Sequence, residues 1–459
     1  MRFLRLGVGQ VLGVANGRLT PVIILRGLSE TSQTVFGRSR YGASMFTLLA
    51  GLLWTAGPLG FQQALELAEV SPAVDAAERV PARRRAEGDG MSSLTANPIL
   101  QVQPGARRMK TGGNGGEIYV GVSQRLNLGS FGKKRKVAVS REVEHDAALV
   151  NVTRQRVRAS VAEAWLSRWS AQQSMEIAEA EEHLAAELEQ RLSQALAAGE
   201  ATRIDLAVAT AWRAEAALTA LAAEGEAFVS GVELARALGV APEAPLVVEA
   251  ELPSIDLPEQ RAMQATLGQV EGAPHVIAAE AERDVEHARY DEVAAARAPQ
   301  LSVGALGWRE GAGDLAAVAT LELELPVFER AQRERATQAA AIARADGAAI
   351  EAALSSRTER VLALHEVEHS QQVLEATAEK VMVAAESLAE AQRLRLEARE
   401  ATAQEWVVSR RAVLRAKLDV LHARSAHCYA RFVARELWSV QTNPDGRPRS
   451  APSTHGTQP

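Results

Sequence analysis

Cysteine is almost absent from this chain. Cys428 is the only one in 459 residues, which excludes an internal disulfide and any cysteine-clustered zinc or iron–sulfur site, and leaves it as a packed helix residue. Aromatic side chains are scarce as well, at 4% of residues, so a bulky aromatic core is not expected; the prevalence of Ala, Glu, Arg and Leu favours long, closely packed helices instead. An excess of positive charge is also missing. The formal net charge is −6 with both signs interspersed, so the chain has no basic face for nucleic acid, which is not expected as a partner. No apolar run reaches the roughly 18 to 20 residues of a membrane-spanning helix, so any insertion into a bilayer has to use strands.

What is present begins with an apolar segment, MFTLLAGLLWTAGPLG from Met45 to Gly60. It has the length of a signal-peptide core, with Arg38 and Arg40 as its basic flank. The segment starts far from Met1 and offers only a weak cleavage site, with Pro58 beside the small residues. Residues 1–60 are therefore read as a leader region whose true start lies downstream of Met1. No cysteine follows the run, which excludes a lipoprotein anchor at that position. The last residues, 441–459, are polar and Pro-rich and are expected to be a disordered tail.

The rest of the chain says everything twice. NPILQV near residue 98 is echoed by APQLSV near residue 299, and EIYVGVSQRLNLGSF, ending at Phe131, by DLAAVATLELELPVF, ending at Phe328. Further on, GEATRID (Gly199 to Asp205) is echoed by REATAQE (Arg399 to Glu405). A repeat of this kind decides the fold class before any local reading. The unit is strand, turn, strand, long helix, tight turn, returning helix. The first copy covers 61–240, with strands at about 98–128, a long helix at about 131–198 and a return helix at about 203–238. A Pro-bearing linker, 241–275, follows. The second copy covers 276–440, with strands at about 299–327, a long helix at about 329–398 and a return helix at about 402–437. Hairpin turns are expected at Thr111–Gly116 and Glu310–Gly313, both Gly-rich. Between Lys133 and Ala198 there is neither Gly nor Pro, and about 65 helical residues extend for roughly 100 Å. In the second long helix only Gly347 interrupts the pattern, mildly. The approach to the first copy, from Phe61 to Val74, looks shorter and less regular than Val276 to Arg297, the helix before the second.

Strands of about ten residues suit a bilayer crossing, and closure is required because an open edge in lipid leaves backbone groups unpaired. The candidate membrane strands carry Leu100, Val102, Val120, Val122, Leu301, Val303, Leu321 and Leu323. Glu322 and Glu324 alternate with the last two, so that such a strand divides lipid from water. Trp308, near a hairpin turn, suits either a membrane interface or ordinary packing. One protomer has too few strands to close a sizeable barrel, so oligomerisation is expected.

APQLSVGALGW followed by LELELPVFERAQRERA resembles the second hairpin and following helix of the TolC-type outer-membrane efflux proteins. QRLNLGSFGKKRKVA resembles the end of their first hairpin, AGEATRIDLAVA their helix-turn-helix tip, and ELARALGVAPEAPLVVEAELP the junction between their halves. The likeness spans about Phe61 to Trp438, and the duplicated order of elements carries it. It implies a mainly α fold with β: a homotrimer whose twelve-stranded β-barrel in the outer membrane continues into a twelve-helix tunnel through the periplasm. A passive duct with no cofactor is implied, served by a periplasmic adaptor and an inner-membrane pump and passing a small molecule or metal ion. Gly199, Glu200, Ala201, Thr202 and Asp205, with Arg399, Glu400, Ala401, Thr402 and Glu405, would form the periplasmic tips where the adaptor docks. Gly199 suits a turn of positive φ; the second copy departs, with Arg399 at the matching place. Gly129 and the basic run Lys133–Lys136 look closest to the branch serving heavy-metal and cation pumps, although a charge run also suits a solvated first helical turn.

One motif points elsewhere. His365–His369 reads HEVEH, which on a helix puts two imidazoles on one face with Glu366 as a candidate base, as in zinc proteases. Glu368 is foreign to such motifs, no third ligand is evident, and a long amphipathic helix offers no cleft, so no catalytic or metal residue is expected. A periplasmic adaptor and a coiled-coil scaffold would also use long helices, but neither has use for a doubled hairpin unit, which favours the duct.

Overall fold

The computed structural model describes residues 11–15, 18–22, 57–91, 97–108, 114–127, 129–241, 246–309, 315–325, 328 and 331–439. It divides into two units, 1–55 and 56–459. In the first, β1 (Val11–Ala15) and β2 (Arg18–Val22) pair as an antiparallel hairpin, which the reading of this segment as a leader did not anticipate. Met45–Ala56 of the apolar segment, Thr111–Gly113 of the first expected hairpin turn, all of the second (Glu310–Gly313) and the tail after Ser439 lie outside the described residues, while Asn114–Gly116 of the first turn belong to a strand.

In the second unit the helical approach is longer than expected. Phe61–Glu69 (α1) and Pro72–Asp89 (α2) are both helical. Ser71 caps α2 by accepting from the Val74 N–H at 3.4 Å, and Pro72 occupies the first turn, where a missing N–H costs nothing. Pro81 and the run Arg83–Arg85 disguise this helix in the sequence. The leader boundary also needs correcting: Leu59 is buried, makes a parallel bridge with Val248, and its carbonyl accepts from Trp165 Nε1 at 2.9 Å. The folded chain has therefore begun by Leu59.

The first hairpin is β3 (Ile99–Arg108) and β4 (Asn114–Asn127). The first long helix, α3, runs over Phe131–Ala197 and returns through α4 (Arg203–Leu238). Gly239 ends α4 at φ +74, and a Cβ there would lie 2.6 Å from Pro72 Cδ, so both the backbone angle and the space require glycine. The linker carries a short helix, α5 (Gln260–Ala265), before α6 (Pro274–Ala295). α1–α2 and α5–α6 are thus counterparts, each pair preceding a hairpin. The second hairpin is β5 (Gln300–Arg309) and β6 (Leu315–Glu324), followed by α7 (Gln332–Glu375), α8 (Met382–Glu397) and the return helix α9 (Ala403–Trp438).

The interruption of the second rod lies at Ala376–Val381, a π-helical segment between α7 and α8, and not at Gly347, which sits inside α7. Thr377 Oγ1 donates to the carbonyls of Val373 and Leu374 at 2.9 and 3.1 Å. Thr337 and Thr358 make the same bond to the carbonyl four residues back inside α7, where the winding stays regular, so this contact accompanies the π-helical segment without being sufficient for it.

Near the middle of each rod a buried arginine holds the linker. Arg168 on α3 donates through Nε to Leu246 O at 2.7 Å and through Nη1 to Ala227 O. Arg360 on α7 donates to Thr266 O, Gln269 O and Leu437 O at 3.0, 2.6 and 2.9 Å, and its guanidinium stacks on Trp438. Burial lowers the pKa of both. Trp169 and Gln172 take the carbonyls of Ala250 and Val248, and Arg431 that of Ile255. The aromatic residues Phe61, Trp165 and Phe432 pack edge to face where α1, α3 and α9 meet. Cys428, also on α9, is buried beside Pro253, and burial pushes its thiol up to about 11.

Both rods end in the same turn. Glu200 N donates to Ala195 O at 2.7 Å and Gly199 N to Leu196 O at 3.0 Å; in the second copy Glu400 N and Arg399 N donate to Arg395 O and Leu396 O at 2.8 and 3.1 Å. Each turn requires a left-handed residue, Gly199 at φ +75 and Arg399 at φ +63.

Replacing the buried arginine of the first rod tests its role. Arg168→Met removes the donor to the Leu246 carbonyl and should lower stability by about 2 kcal/mol or more, as for buried acceptors left unpaired; unfolding followed by circular dichroism reads this, and an unchanged midpoint would show that water replaces the guanidinium. At the second turn, Arg399→Gly removes left-handed strain of about 1 to 2 kcal/mol and loses an exposed ion pair worth at most about 1 kcal/mol. The glycine variant is expected to melt above the wild type. Arg399→Ala should melt below it, since alanine keeps the strain and loses the pair.

Candidate functional site

Two regions gather the residues singled out in the sequence: the sheet and the turns of the two rods. The sheet has the order β3-β4-β5-β6, antiparallel throughout. Among the described residues β3 and β6 each have a neighbour on one side only. Leu100 lies opposite Val122 and Val102 opposite Val120; Val122 lies opposite Ala305 and Val120 opposite Gly307; Leu301 lies opposite Leu323 and Val303 opposite Leu321. Directly opposed residues share a face, and side chains alternate along each strand. All eight candidate strand residues therefore lie on one face, and it is exposed: Leu100 is 67% accessible and Leu321 74%.

The opposite face carries Gln101, Gln103, Glu117, Ser123, Arg125, Ser302, Thr320, Glu322 and Glu324 by the same register. Trp308 belongs to this polar face, where it stacks on Tyr119 with ring centroids 6.1 Å apart, and the Tyr119 hydroxyl donates to Glu117 Oε2 at 2.9 Å. This stacking is compatible with either of the two roles open to Trp308. Four strands thus form a sheet with an apolar face, a polar face and two free edges. At its base Lys134, within the basic run, pairs with Asp291 of α6 at 2.7 Å.

At the other end the structure brings both sets of turn residues together. Arg399 Nη2 lies 3.1 Å from Glu200 Oε2, joining one turn to the other. Asp205 Oδ1 accepts from Ala403 N at 3.4 Å. Each return helix opens with reciprocal caps. The Asp205 N–H donates to Thr202 Oγ1 at 3.1 Å while the Thr202 N–H donates to Asp205 Oδ2 at 3.2 Å; Glu405 and Thr402 repeat this at 3.3 and 2.8 Å. The Thr202 hydroxyl holds the Asp205 carboxyl below its ordinary range, and the Thr402 backbone N–H does the same for Glu405, helped by the hydroxyl. Ala201 and Ala401 are partly exposed beside these caps, and Glu400 is exposed.

Behind the turns Trp212 of α4 and Trp406 of α9 meet edge to face at 5.4 Å, in a cluster with Leu188, Ala209 and Val407. Glu181, buried on α3, takes Arg410 of α9 at 3.0 Å. A groove of 310 Å³ opens on the second copy, lined by Leu388, Gln392, Thr402, Gln404, Glu405, Val408 and Ser409. Sequence reasoning missed the tryptophan pair and the caps. A threonine followed three residues later by an acid in both TRID and TAQE was the available signal for the caps.

His365 and His369 lie on an exposed stretch of α7, with ring centroids 5.8 Å apart and planes 12° from parallel. Glu366 is exposed, and Glu368 accepts from Gln260 of α5. Among the described residues no group of three or more His, Cys, Asp or Glu side chains is placed to hold a metal, and no helix is long and apolar enough to cross a membrane.

No protein-family model matches the sequence, and no curated protein does. Solved structures do. The outer membrane protein VceC from Vibrio cholerae superposes with a TM-score of 0.67 at 15% identity, over 82% of this chain and 95% of that one. The CmeC outer membrane channel of Campylobacter jejuni gives 0.70 at 13% identity, over 82% and 85%. The open state of the MtrE outer membrane channel of Neisseria gonorrhoeae gives 0.67 at 16% identity, over 82% and 88%. At such identities the likeness is one of fold, and the fold of this chain is that of the outer-membrane channels, as its resemblance to the TolC type implied.

Proposed function

We propose that this protein is the outer-membrane channel component of an efflux system, a passive duct that assembles as a homotrimer. The single observation that carries this reading is the sheet: an exposed apolar face, a polar opposite face and two edges with unpaired backbone groups. In water such a sheet would expose both its edges and its leucines; in a bilayer it is satisfied only by closure with further copies. Three copies of four strands give a closed barrel of twelve, apolar towards lipid and polar towards a water-filled lumen. The long helices, doubled in each chain, then continue the barrel as a twelve-helix tunnel into the periplasm. The fold shared with VceC, CmeC and MtrE, an outer-membrane protein and two outer-membrane channels, supports the location.

In this reading transport needs no chemistry and no cofactor from the chain itself. An inner-membrane pump supplies the energy and selects the small molecule or metal ion in transit, and a periplasmic adaptor joins pump to duct. The paired turns at Gly199–Asp205 and Arg399–Glu405 are the docking tips. The groove beside Thr402 and Glu405 gives a docking partner a surface at the second tip.

Fractionation of expressing cells followed by native mass determination in mild detergent tests the reading. A trimer in the outer membrane is expected, and a soluble monomer would overturn it. Leu321→Arg, which sets a charge on the apolar face, should cost about 2 to 4 kcal/mol at mid-bilayer and prevent assembly, whereas Glu322→Gln on the polar face should leave the trimer intact. Equal behaviour of the two variants would remove the lipid-facing assignment.

The caps give the tips an acid limit. Because Asp205 and Glu405 titrate below their ordinary range when folded, their stabilisation is complete above the unfolded pKa and disappears as pH falls through the lowered folded value. Amide exchange across 203–206 and 403–406, corrected for the intrinsic pH dependence, should show protection holding through neutral pH and collapsing only in that acid window. Loss of protection near neutrality would contradict the capping assignment.

A further inference from the structure

The channel reading leaves His365 and His369 without a role. They stand four residues apart on α7, so successive turns of one helix present both imidazoles on one face. Their rings lie nearly parallel, with centroids 5.8 Å apart, and both residues are exposed. Each belongs to the interior of a long, regular helix, so the backbone that sets their spacing is already ordered, and only side-chain rotamers remain to be fixed on binding a ligand. Two carboxylates flank them. Glu366 is exposed, and Glu368 is fixed by the amide of Gln260.

This geometry decides between several ligand classes. Catalytic zinc needs three protein ligands and a sheltered water, and among the described residues no group of three or more His, Cys, Asp or Glu side chains is placed to hold a metal. Hard cations such as Mg²⁺ and Ca²⁺ take oxygen ligands and gain little from imidazole. Cu²⁺, Ni²⁺ and Zn²⁺ accept imidazole nitrogen, and water can complete the coordination sphere when the site is open. The flanking carboxylates add a favourable local potential for a cation.

We propose that His365 and His369 form a two-imidazole chelating site for one borderline divalent transition ion on the exposed face of α7. The site is independent of the channel assignment: it requires only the helix and the two rings. It is also distinct from the zinc-protease reading of HEVEH, because it gives Glu366 no part as a base and requires no substrate pocket.

The test uses the full chain in its native detergent-solubilised assembly, titrated calorimetrically with CuCl₂, NiCl₂ and ZnCl₂ in turn. Uptake of one ion per chain is expected, with Cu²⁺ bound more tightly than Ni²⁺ or Zn²⁺. His365→Ala or His369→Ala alone should weaken binding by about tenfold or more, since each removes one of two coordinate bonds, and the double variant should abolish this site. Electron paramagnetic resonance of the Cu²⁺-loaded wild type should show coupling to two imidazole nitrogens, which keeps the proposal testable even if a variant fails to assemble. Absence of uptake by the wild type, as when a second copy covers the pair, would overturn it. So would unchanged uptake by the double variant, meaning an adventitious ion only, or a spectrum with a single nitrogen.

Discussion

Backbone N–H and C=O groups that leave water must find partners, because an unpaired buried group forfeits hydrogen bonds it had when unfolded. Much of this chain's architecture answers that requirement. The linker between the copies is irregular backbone pressed against helices, and its carbonyls are taken by Arg168, Trp169, Gln172, Arg360 and Arg431. The turns of the rods pair their last carbonyls with the N–H groups of residues 199, 200, 399 and 400, and the return helices pair their first N–H groups with Thr and acid side chains. The outer edges of β3 and β6, by contrast, have no strand beside them among the described residues. The linker and the rod turns find partners within the chain, and in the proposed trimer further copies would supply partners to the strand edges beside the exposed apolar face.

The same economy explains where the few large side chains lie. Alanine is the commonest buried apolar residue among those described and lets the helices approach closely. The aromatic residues are placed at junctions: Phe61, Trp165 and Phe432 join the start of the fold to the first rod and the last helix, Trp212 and Trp406 join the two return helices, and Trp438 lies under Arg360 with its Nε1 donating to Thr266 Oγ1 at 3.0 Å. Aromatic rings supply large contact area per residue, and tryptophan brings a donor as well. A rod of about 65 residues has no compact core of its own; these junctions fix its position along the bundle.

What was legible in the sequence was what has a period. The helical spacing of α3 and α7, the alternation around Leu321 and Leu323, and the repeat itself are local or regularly spaced signals. Features that depend on distant partners were not legible. Arg168 and Arg360 look like two more charges on amphipathic helices, and only the arrival of the linker, 78 and 91 residues away in sequence for Leu246 and Gln269, makes them structural. The helix at Pro72–Asp89 was obscured by Pro81 and by arginines whose partners, Asp146 and Glu142 for Arg84, lie on α3. At the tips the turn positions could be read, but their meeting could not, since Arg399 and Glu200 come from opposite halves of the chain.

That meeting bears on why the duplication is retained as two unequal copies. The copies share the left-handed turn and the threonine cap, so the backbone path is common to both. They differ in the residues that touch across the gap: Gly199 leaves space where Arg399 reaches for Glu200, and Asp205, shorter than Glu405, accepts from the backbone of the other turn. Two copies of the second turn would still set each arginine near a glutamate, since residues 200 and 400 are both Glu, whereas two copies of the first, with glycine at the turn, would lose the ion pair. The two hairpins therefore meet asymmetrically, through one ion pair and one carboxylate-to-backbone contact. In the proposed trimer the tunnel end would then alternate two kinds of tip, joined within a protomer by the Arg399–Glu200 contact and between protomers by different surfaces, so that a partner docking in the grooves between tips would meet two chemically distinct sites.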